Sequence, residues 1–301
     1  MKKRRFGRTE LQVTEPGYGA MALSQVDEGL AEQLLNSVLD AGINVIDTSL
    51  DYGISEDLIG KLIPHRRDEY ILASKCGCNI PRETSDDRRH IWTREQVTHN
   101  IEHSLQRLKT DRIDLLQIHS ATAEEVKNGD LVEAMREVQQ QGKVRFIGYT
   151  ATGRTAFGFP ELVEMLSWDV FDFFQIPYGI LARIHEESIA VAAKQGAGII
   201  LRGTVKPGYS GVYDKGEWED LWAQAQLEAL MAEGEDPYRF MLRFAITHSD
   251  YSTVIIGTRS LENLDANVET FELGPLSDEV YNEAKRRLDG VGIVSRAMET
   301  V

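Results

Sequence analysis

Four side chains that are able to exchange protons or bind a polar ligand stand at the ends of short apolar runs in this chain. The runs cover 44–47, 70–75 and 113–119, and each has the length and hydrophobicity of a buried strand. The polar residues that end or closely follow these runs are Asp47, Tyr52, Lys75 and His119. A polar group at the end of an apolar strand adds little to packing. Several such ends in succession therefore predict one shared reactive site.

The chemistry of this set is proton transfer beside a developing negative charge. The phenol of Tyr52 is a proton donor, but its unperturbed pKa of about 10 requires tuning. A neighbouring ammonium such as Lys75 lowers that pKa, and Asp47 keeps Lys75 charged and in place. His119 is able to donate a hydrogen bond to the same oxygen. Taken singly, an Asp–Lys pair is more often a structural ion pair, so the prediction depends on the four residues together.

The elements that must position these residues alternate between strand and helix. Eight apolar segments, each followed by a helical pattern, are predicted as strands at 17–22, 44–47, 70–75, 113–119, 144–149, 173–177, 198–202 and 253–257. Hydrophobicity on both faces is typical of parallel strands covered by helices. Eight such repeats favour a closed barrel, so we predict an α/β fold, a (β/α)8 TIM barrel, as a single domain over residues 1–301. The active site of such a barrel lies at the carboxyl ends of the strands.

Sequence signals also predict where helices begin and where loops are long. Thr93 with Gln96 three residues later forms a capping-box pattern, and Asp130 opens a second helix. Two connections, 77–92 and 203–236, exceed the usual length, which indicates loops that cover or shape a site.

The segments that carry the four polar residues resemble those of the aldo-keto reductase family. The matching motifs, in chain order, are Ile46-Asp47-Thr48-Ser49, Asp51-Tyr52-Gly53, Ser74-Lys75 and Gln117-Ile118-His119. The resemblance extends from a hairpin-like opening at 5–9 to 256–259. It implies a (β/α)8 barrel that transfers hydride between a nicotinamide cofactor, usually NADPH, and a carbonyl compound. It also implies that Tyr52 is the general acid in reduction and the general base in oxidation.

The expected cofactor site follows the last strand. No Gly-x-Gly-x-x-Gly motif follows any predicted strand, so a Rossmann-type site is not indicated. Barrels of this kind instead bind phosphate at a helix start after the last strands. We expect Gly257, Thr258 and Arg259 to bind the 2′-phosphate of NADPH, although Arg259 is equally compatible with an ordinary surface charge. The resemblance places Asn263 and Asn267 along the adenine.

Three further residues are expected to surround the nicotinamide. By resemblance, Gln175 hydrogen-bonds the carboxamide; the alternative is a glutamine in the barrel interior that is bonded to its neighbours. The family commonly has a Ser-Asn pair after the fifth strand, and here we expect Thr150 in the position of the serine. Many members have a stacking tyrosine after the seventh strand, and here we expect Arg202 in its place.

Composition excludes several classes of protein. The formal net charge of −15 argues against a nucleic-acid or anionic-membrane partner. No segment approaches the roughly 20 apolar residues that span a bilayer. Cys76 and Cys78 are too close in sequence for an easy disulfide, so we expect reduced thiols and a cytoplasmic protein. We expect no metal site, because the histidine pair His99 and His103 has no third ligand and the cysteines have no second pair.

These observations predict an NADPH-dependent oxidoreductase that reduces an aldehyde or ketone, a small-molecule carbonyl substrate. Two alternatives stay open. One is a nicotinamide-binding regulatory subunit with negligible turnover, since the family includes barrels attached to channels. The other is an NAD-dependent sugar or alcohol dehydrogenase that works mainly in the oxidative direction.

Overall fold

The computed structural model describes residues 1–81, 90–151, 158–205 and 215–298. The strands within them are β1 (Lys3–Arg5), β2 (Gln12–Thr14), β3 (Pro16–Gly19), β4 (Val45–Asp47), β5 (Ile71–Cys76), β6 (Ile113–His119), β7 (Val144–Thr150), β8 (Phe173–Pro177), β9 (Gly198–Arg202) and β10 (Thr253–Ile256). β3 to β10 are parallel and close into a barrel in the order β10-β3-β4-β5-β6-β7-β8-β9. The (β/α)8 barrel expected from the alternating pattern is therefore confirmed.

The helices cover the outside of the barrel and bury its outward-facing apolar residues. Those in the described residues are α1 (Glu28–Asp40), α2 (Ser55–Leu62), α3 (Arg94–Leu108), α4 (Ala123–Asn128), α5 (Leu131–Gln140), α6 (Phe159–Ser167), α7 (Glu186–Lys194), α8 (Lys215–Gln224), α9 (Pro237–Thr247), α10 (Leu261–Leu273) and α11 (Asp278–Gly290). In α1, Leu34, Leu35 and Val38 form the fully buried stripe that the sequence spacing predicts. No helix of the described ranges combines the length and apolar character needed to cross a membrane.

All eight predicted strands are present, with small differences at their ends. The first is shorter than predicted, because the chain turns into a 3₁₀ helix at Ala20–Gln25. The predicted long connection 203–236 is partly helical, since α8 and a 3₁₀ helix at Leu227–Leu230 lie within it. Its residues 206–214, and residues 82–89 of the other predicted long loop, lie outside the described part of the chain.

Both helices start at the predicted residues, but the hydrogen bonds made by the side chains at these starts differ in part from the prediction. Thr93 caps α3 by accepting a hydrogen bond from Gln96 N at 3.2 Å. The Gln96 side chain does not complete a capping box; it donates to the Cys78 carbonyl oxygen at 2.7 Å. Asp130 precedes α5 but makes no side-chain cap bond. Gln96 therefore ties α3 to the chain that leaves β5.

The amino-terminal hairpin β1–β2 closes the end of the barrel at which the parallel strands begin. Phe6 follows β1, is fully buried, and lies 5.6 Å from the Phe173 ring, centroid to centroid. Gly7 has φ +54° and packs directly on the backbone before β9; an added Cβ would lie 2.3 Å from Gly198 N. A side chain at Gly7 would therefore force the hairpin away from the barrel, which explains why this turn requires glycine.

Asp114, near the start of β6, connects three parts of the barrel wall and gives a testable stability prediction. Its carboxylate accepts hydrogen bonds from Arg67 Nη2 at 2.7 Å, Leu72 N at 2.9 Å and Arg145 Nη1 at 2.8 Å. Burial raises the pKa of Asp114, but Arg67, Leu72 N–H and Arg145 outweigh burial, so the net pKa is lowered. A lowered folded-state pKa means that the charged carboxylate stabilises the fold above about pH 4, and that this contribution is lost as pH falls through the folded value.

We expect Asp114→Asn to lower the free energy of unfolding by about 1–3 kcal/mol at neutral pH, because the charge-assisted hydrogen bonds from Arg67 and Arg145 to this buried group are lost. The loss of stability on acidification should also become less steep. Urea unfolding across the acid range measures both effects. Asp68→Asn, whose side chain is 91% exposed in its pair with Arg112, is the matched control and should change stability by less than about 1 kcal/mol. Equal effects of the two substitutions would contradict the prediction.

Candidate active site

The four predicted reactive residues lie at the carboxyl ends of three neighbouring strands. Asp47 ends β4, Lys75 lies in β5 and His119 ends β6. Tyr52 lies in the short connection between β4 and α2. Because these strands pair in parallel, their carboxyl ends open on one rim of the barrel, and the four side chains meet there.

Alternation along the strands explains why polar groups meet inside the barrel. On four strands a buried apolar residue is followed two positions later by a buried polar one: Val45 and Asp47, Ala73 and Lys75, Leu115 and Gln117, Phe173 and Gln175. Residues two apart in a strand share a face, so the apolar members form one layer with Phe6 and the polar members form the next. Gln117 is a member that the sequence analysis did not select as a site residue. Its position two residues after the apolar Leu115, in the same strand, is the sequence signal that identifies it.

Asp47 is the acceptor that connects this polar layer. Lys75 Nζ donates to Asp47 Oδ2 at 2.8 Å and to the Thr48 carbonyl oxygen at 2.8 Å. Gln117 Nε2 and Gln175 Nε2 both donate to Asp47 Oδ1, at 2.8 and 2.9 Å. Burial opposes the charge of Lys75, but Asp47 and Tyr52 together outweigh burial, and the pKa of Lys75 is raised. Lys75 therefore remains an ammonium although its side chain is only 1% exposed.

Tyr52 lies against this ammonium, but its acidity differs from the expectation. Lys75 Nζ is 4.7 Å from the centre of the Tyr52 ring. Burial raises the pKa of Tyr52 to about 12, and the opposing effect of Lys75 only partly offsets it. Lys75 thus lowers the pKa of Tyr52 as expected, but the expected net lowering is wrong, because loss of hydration outweighs the neighbouring charge. The phenol consequently keeps its proton at ordinary pH.

His119 faces Tyr52 from the third strand. The two rings meet edge to face with centroids 6.4 Å apart. Burial is the main reason that the pKa of His119 lies well below its usual value; Asp51 opposes this shift and Lys75 adds to it. The imidazole is therefore neutral, so one ring nitrogen is a donor and the other an acceptor. Its backbone is fixed by Trp92 Nε1, which donates to the His119 carbonyl oxygen at 3.1 Å.

The residues expected around the nicotinamide lie on the next strands of the rim. Thr150 ends β7, Gln175 lies in β8 and Arg202 ends β9, and these strands are neighbours. Thr150 Oγ1 donates to Gln175 Oε1 at 3.2 Å, and Gln175 also donates to Asp47. Arg202 Nη2 donates to the Ala151 carbonyl oxygen at 2.7 Å. Gln175 thus hydrogen-bonds neighbouring side chains in the barrel interior, as the alternative to a cofactor contact predicts. Its contact with a carboxamide stays a prediction.

The residues expected to bind the phosphate and adenine follow β10 or lie in α10: Gly257, Thr258, Arg259, Asn263 and Asn267. Ser260 caps α10 by accepting a hydrogen bond from Asn263 N at 3.2 Å. Arg259 is exposed beside this helix start and donates to Gln25 Oε1 at 3.1 Å. Arg259 therefore directly precedes the residue that caps α10, and its assignment to a phosphate stays a prediction.

Fold and site together define a barrel oxidoreductase, and the chain belongs to the aldo/keto reductase family, whose family model matches residues 17–288. Members of this family typically bind a nicotinamide cofactor. The resemblance stated from the motifs is therefore confirmed.

The similarity to individual relatives extends over most of this chain and most of theirs. The chain is 25% identical over 296 residues to the uncharacterized oxidoreductase YqkF of Bacillus subtilis (strain 168), covering 93% of this chain and 94% of that protein. It is 26% identical to L-galactose dehydrogenase of Arabidopsis thaliana, covering 96% and 94%. The holo form of aldo-keto reductase AKR11C1 from Bacillus halodurans superposes with a TM-score of 0.82 at 27% identity, covering 95% and 96%.

Proposed function

We propose that this protein is an NADPH-dependent carbonyl reductase that converts an aldehyde or ketone into the alcohol. The observation that carries the proposal is the position of Lys75. Its ammonium lies 2.8 Å from Asp47 Oδ2 and 4.7 Å from the centre of the Tyr52 ring. A protonated phenol, a retained ammonium and the neutral imidazole of His119 are the groups needed to protonate and orient a carbonyl oxygen.

In this proposal Tyr52 is the general acid. Its hydroxyl donates the proton to the carbonyl oxygen, and Lys75 stabilises the phenolate that remains. Asp47 keeps Lys75 charged, while His119 donates a hydrogen bond to the same oxygen and orients the substrate. When bound, the nicotinamide supplies the hydride that the carbonyl carbon receives. In the oxidative direction Tyr52 accepts the proton instead.

The residues on the rim fit a phosphorylated nicotinamide cofactor by the chemistry of their donors. The first turn of α10 has backbone N–H groups without partners inside the helix, and Arg259 adds a positive charge beside them. This combination suits the 2′-phosphate of NADPH. On β7 and β8, the hydroxyl of Thr150 and the amide of Gln175 suit a carboxamide, which both donates and accepts hydrogen bonds.

Arg259→Ala gives a direct test of cofactor preference. We expect the Kd for NADPH to rise about tenfold or more, because a charge-assisted hydrogen bond to phosphate is lost. The Kd for NADH should stay nearly unchanged. Quenching of tryptophan fluorescence measures both constants. Arg286→Ala, on the exposed face of α11, is the control. Equal loss of affinity for the two cofactors would contradict a 2′-phosphate contact at Arg259.

The proposed activity is tested by following NADPH oxidation with a panel of aliphatic and aromatic aldehydes, ketones and aldoses. Turnover that depends on both NADPH and a carbonyl compound supports the proposal. Binding of NADPH with no turnover on any carbonyl would instead favour a regulatory nicotinamide-binding subunit. The panel therefore separates the two functions.

A second candidate is a dehydrogenase that works in the oxidative direction with NAD. It is favoured by the similarity to a protein named L-galactose dehydrogenase over almost the whole chain. The positive charge of Arg202 at the end of β9 counts against it, because a cation beside oxidised nicotinamide is unfavourable. Initial rates with NAD and sugars or alcohols, compared with NADPH and the matching carbonyls, distinguish the directions. We also expect a cytoplasmic location, supported by the two free, buried thiols.

A further inference from the structure

A compact group of four possible metal ligands lies beside His119. The residues are Asp51, Cys78, His90 and His119, and one ligand atom from each lies within 4.8 Å of all the others. His90 Nε2 is 3.1 Å from His119 Nδ1, and Cys78 Sγ is 3.6 Å from the same Nδ1. Asp51 Oδ2 lies 3.7 Å from His90 Nε2, and the other carboxylate oxygen, Oδ1, lies 3.7 Å from His119 Nδ1.

These separations are close to those around a tetrahedral metal ion, although the two imidazole nitrogens, at 3.1 Å, lie slightly nearer each other than bound ligands would. Ligand atoms bound to zinc lie about 2.0–2.3 Å from the metal, so neighbouring ligand atoms lie about 3.3–3.7 Å apart. A thiolate, two imidazoles and a carboxylate are ligands that zinc and similar divalent ions accept. Metal binding releases the proton of the Cys78 thiol to solvent, and the resulting thiolate and the Asp51 carboxylate together carry two negative charges, which balance a divalent ion. This balance matters because the side chains are nearly buried, with Asp51 5% and His90 12% exposed.

The surrounding contacts hold these ligands in place. Cys78 and His90 form an antiparallel β-bridge, and Ile91 N donates to the Gly77 carbonyl oxygen at 2.9 Å. The Cys78 backbone is fixed from α3, where Gln96 and Asn100 donate to its carbonyl oxygen at 2.7 and 2.9 Å.

The side chains have supporting contacts of their own. Ser49 Oγ donates to Asp51 Oδ1 at 2.7 Å. The Trp92 ring stacks on the His90 ring at 5.6 Å, which limits the orientations of the imidazole. Contacts that hold metal-binding side chains in a fixed orientation are characteristic of metal sites in proteins.

We propose that Asp51, Cys78, His90 and His119 bind one divalent transition-metal ion of the zinc type. This proposal departs from the expectation of no metal site, which rested on His99 and His103 and on the lack of a second cysteine pair. The four positions follow no metal-binding motif in the sequence, because they lie at or beyond the carboxyl ends of β4, β5 and β6 and meet only when the barrel closes. A metal on His119 Nδ1 requires the ring proton to reside on Nε2. The metal site therefore shares His119 with the proposed active site, but its occupancy does not depend on the proposed reaction.

Cobalt titration of the whole protein tests the site directly. The protein is treated with a chelator under reducing conditions, freed of chelator and titrated with Co²⁺. We expect one Co²⁺ per chain, a sulfur-to-cobalt charge-transfer band from Cys78 and the visible bands of tetrahedral cobalt. Zn²⁺ should abolish these bands by displacement. The alternative is a metal-free hydrogen bond between His90 and His119, and in that case no cobalt spectrum develops.

Matched variants make the assignment specific. Cys78→Ser should remove the charge-transfer band, and His90→Gln should weaken Co²⁺ binding about 100-fold. Cys76→Ser should leave the spectrum unchanged, as should replacement of the other histidine pair by His99→Gln with His103→Gln. Tyr52→Phe should also bind Co²⁺ normally, which separates failure of the metal site from failure of the proposed reaction.

Measurement of Tm distinguishes loss of the metal site from poor folding of a variant. Zn²⁺ should raise the Tm of the unsubstituted protein and of Cys76→Ser, but not that of His90→Gln. The inference is overturned if no charge-transfer band forms, if the band survives Cys78→Ser, or if the control variants lose the band as well.

Discussion

Substitution of Tyr52 by phenylalanine is expected to lower kcat for carbonyl reduction about 10²–10⁴-fold, the range that a positioned general acid contributes. Phenylalanine keeps the ring beside which the Lys75 ammonium lies at 4.7 Å and removes only the hydroxyl. Stability and NADPH affinity should therefore change little, since the expected cofactor residues lie on other strands. Steady-state oxidation of NADPH and a fluorescence titration measure the two quantities separately.

Tyr251→Phe is the matched control for this prediction. Tyr251 precedes β10 at the opposite end of the barrel, where the Arg4 guanidinium lies 4.0 Å from the centre of its ring. Its substitution should leave kcat unchanged. If Tyr52→Phe keeps more than about a tenth of the original kcat, Tyr52 is not the general acid.

Replacement of Lys75 by methionine is expected to remove activity and also to destabilise the fold. Among the described residues, this substitution leaves the buried Asp47 carboxylate with the amides of Gln117 and Gln175 as its remaining side-chain partners. Breaking a buried ion pair on one side costs about 3–5 kcal/mol of unfolding free energy, because the remaining charge has lost its hydration as well as its partner. The phenolate of Tyr52 would also lose its stabilising charge, so kcat should fall even in the folded fraction.

A double variant separates these two effects. Asp47→Asn combined with Lys75→Met removes both charges, so most of the lost stability should return while kcat stays low. Urea unfolding and kinetics on the same samples provide the comparison. Lys61→Met, at an exposed pair with Glu28, is the control and should cost less than about 1 kcal/mol. Recovery of activity in the double variant would show that Lys75 has no chemical role.

The sequence predicted the barrel strands and the convergence of Asp47, Tyr52, Lys75 and His119, because both depend on local signals and chain order. Apolar runs alternated with helical patterns, and parallel strands necessarily open on one rim, so Asp47, Lys75 and His119 had to become neighbours. The same reasoning extends to Gln117 and Gln175, whose position two residues beyond an apolar interior residue places them in the same layer as Asp47.

Interactions that depend on three-dimensional detail were less predictable. The pattern at Thr93 correctly indicated a helix start, but Gln96 bonds the Cys78 carbonyl oxygen because the chain after β5 passes within its reach. The pKa of Tyr52 is raised because burial outweighs the effect of the nearby Lys75 ammonium. The extent of burial is a property of the folded site.

The sequence by itself therefore determined the order of strands and helices, the family, and the meeting of Asp47, Tyr52, Lys75 and His119 at one rim of the barrel. The tertiary structure decided how charge and hydration are balanced there. It made Asp47 the common acceptor of Lys75, Gln117 and Gln175, and it gathered Asp51, Cys78, His90 and His119 into one group. The physical reason is that periodicity acts over a few residues, whereas desolvation and ligand geometry arise only when distant segments close around the same volume.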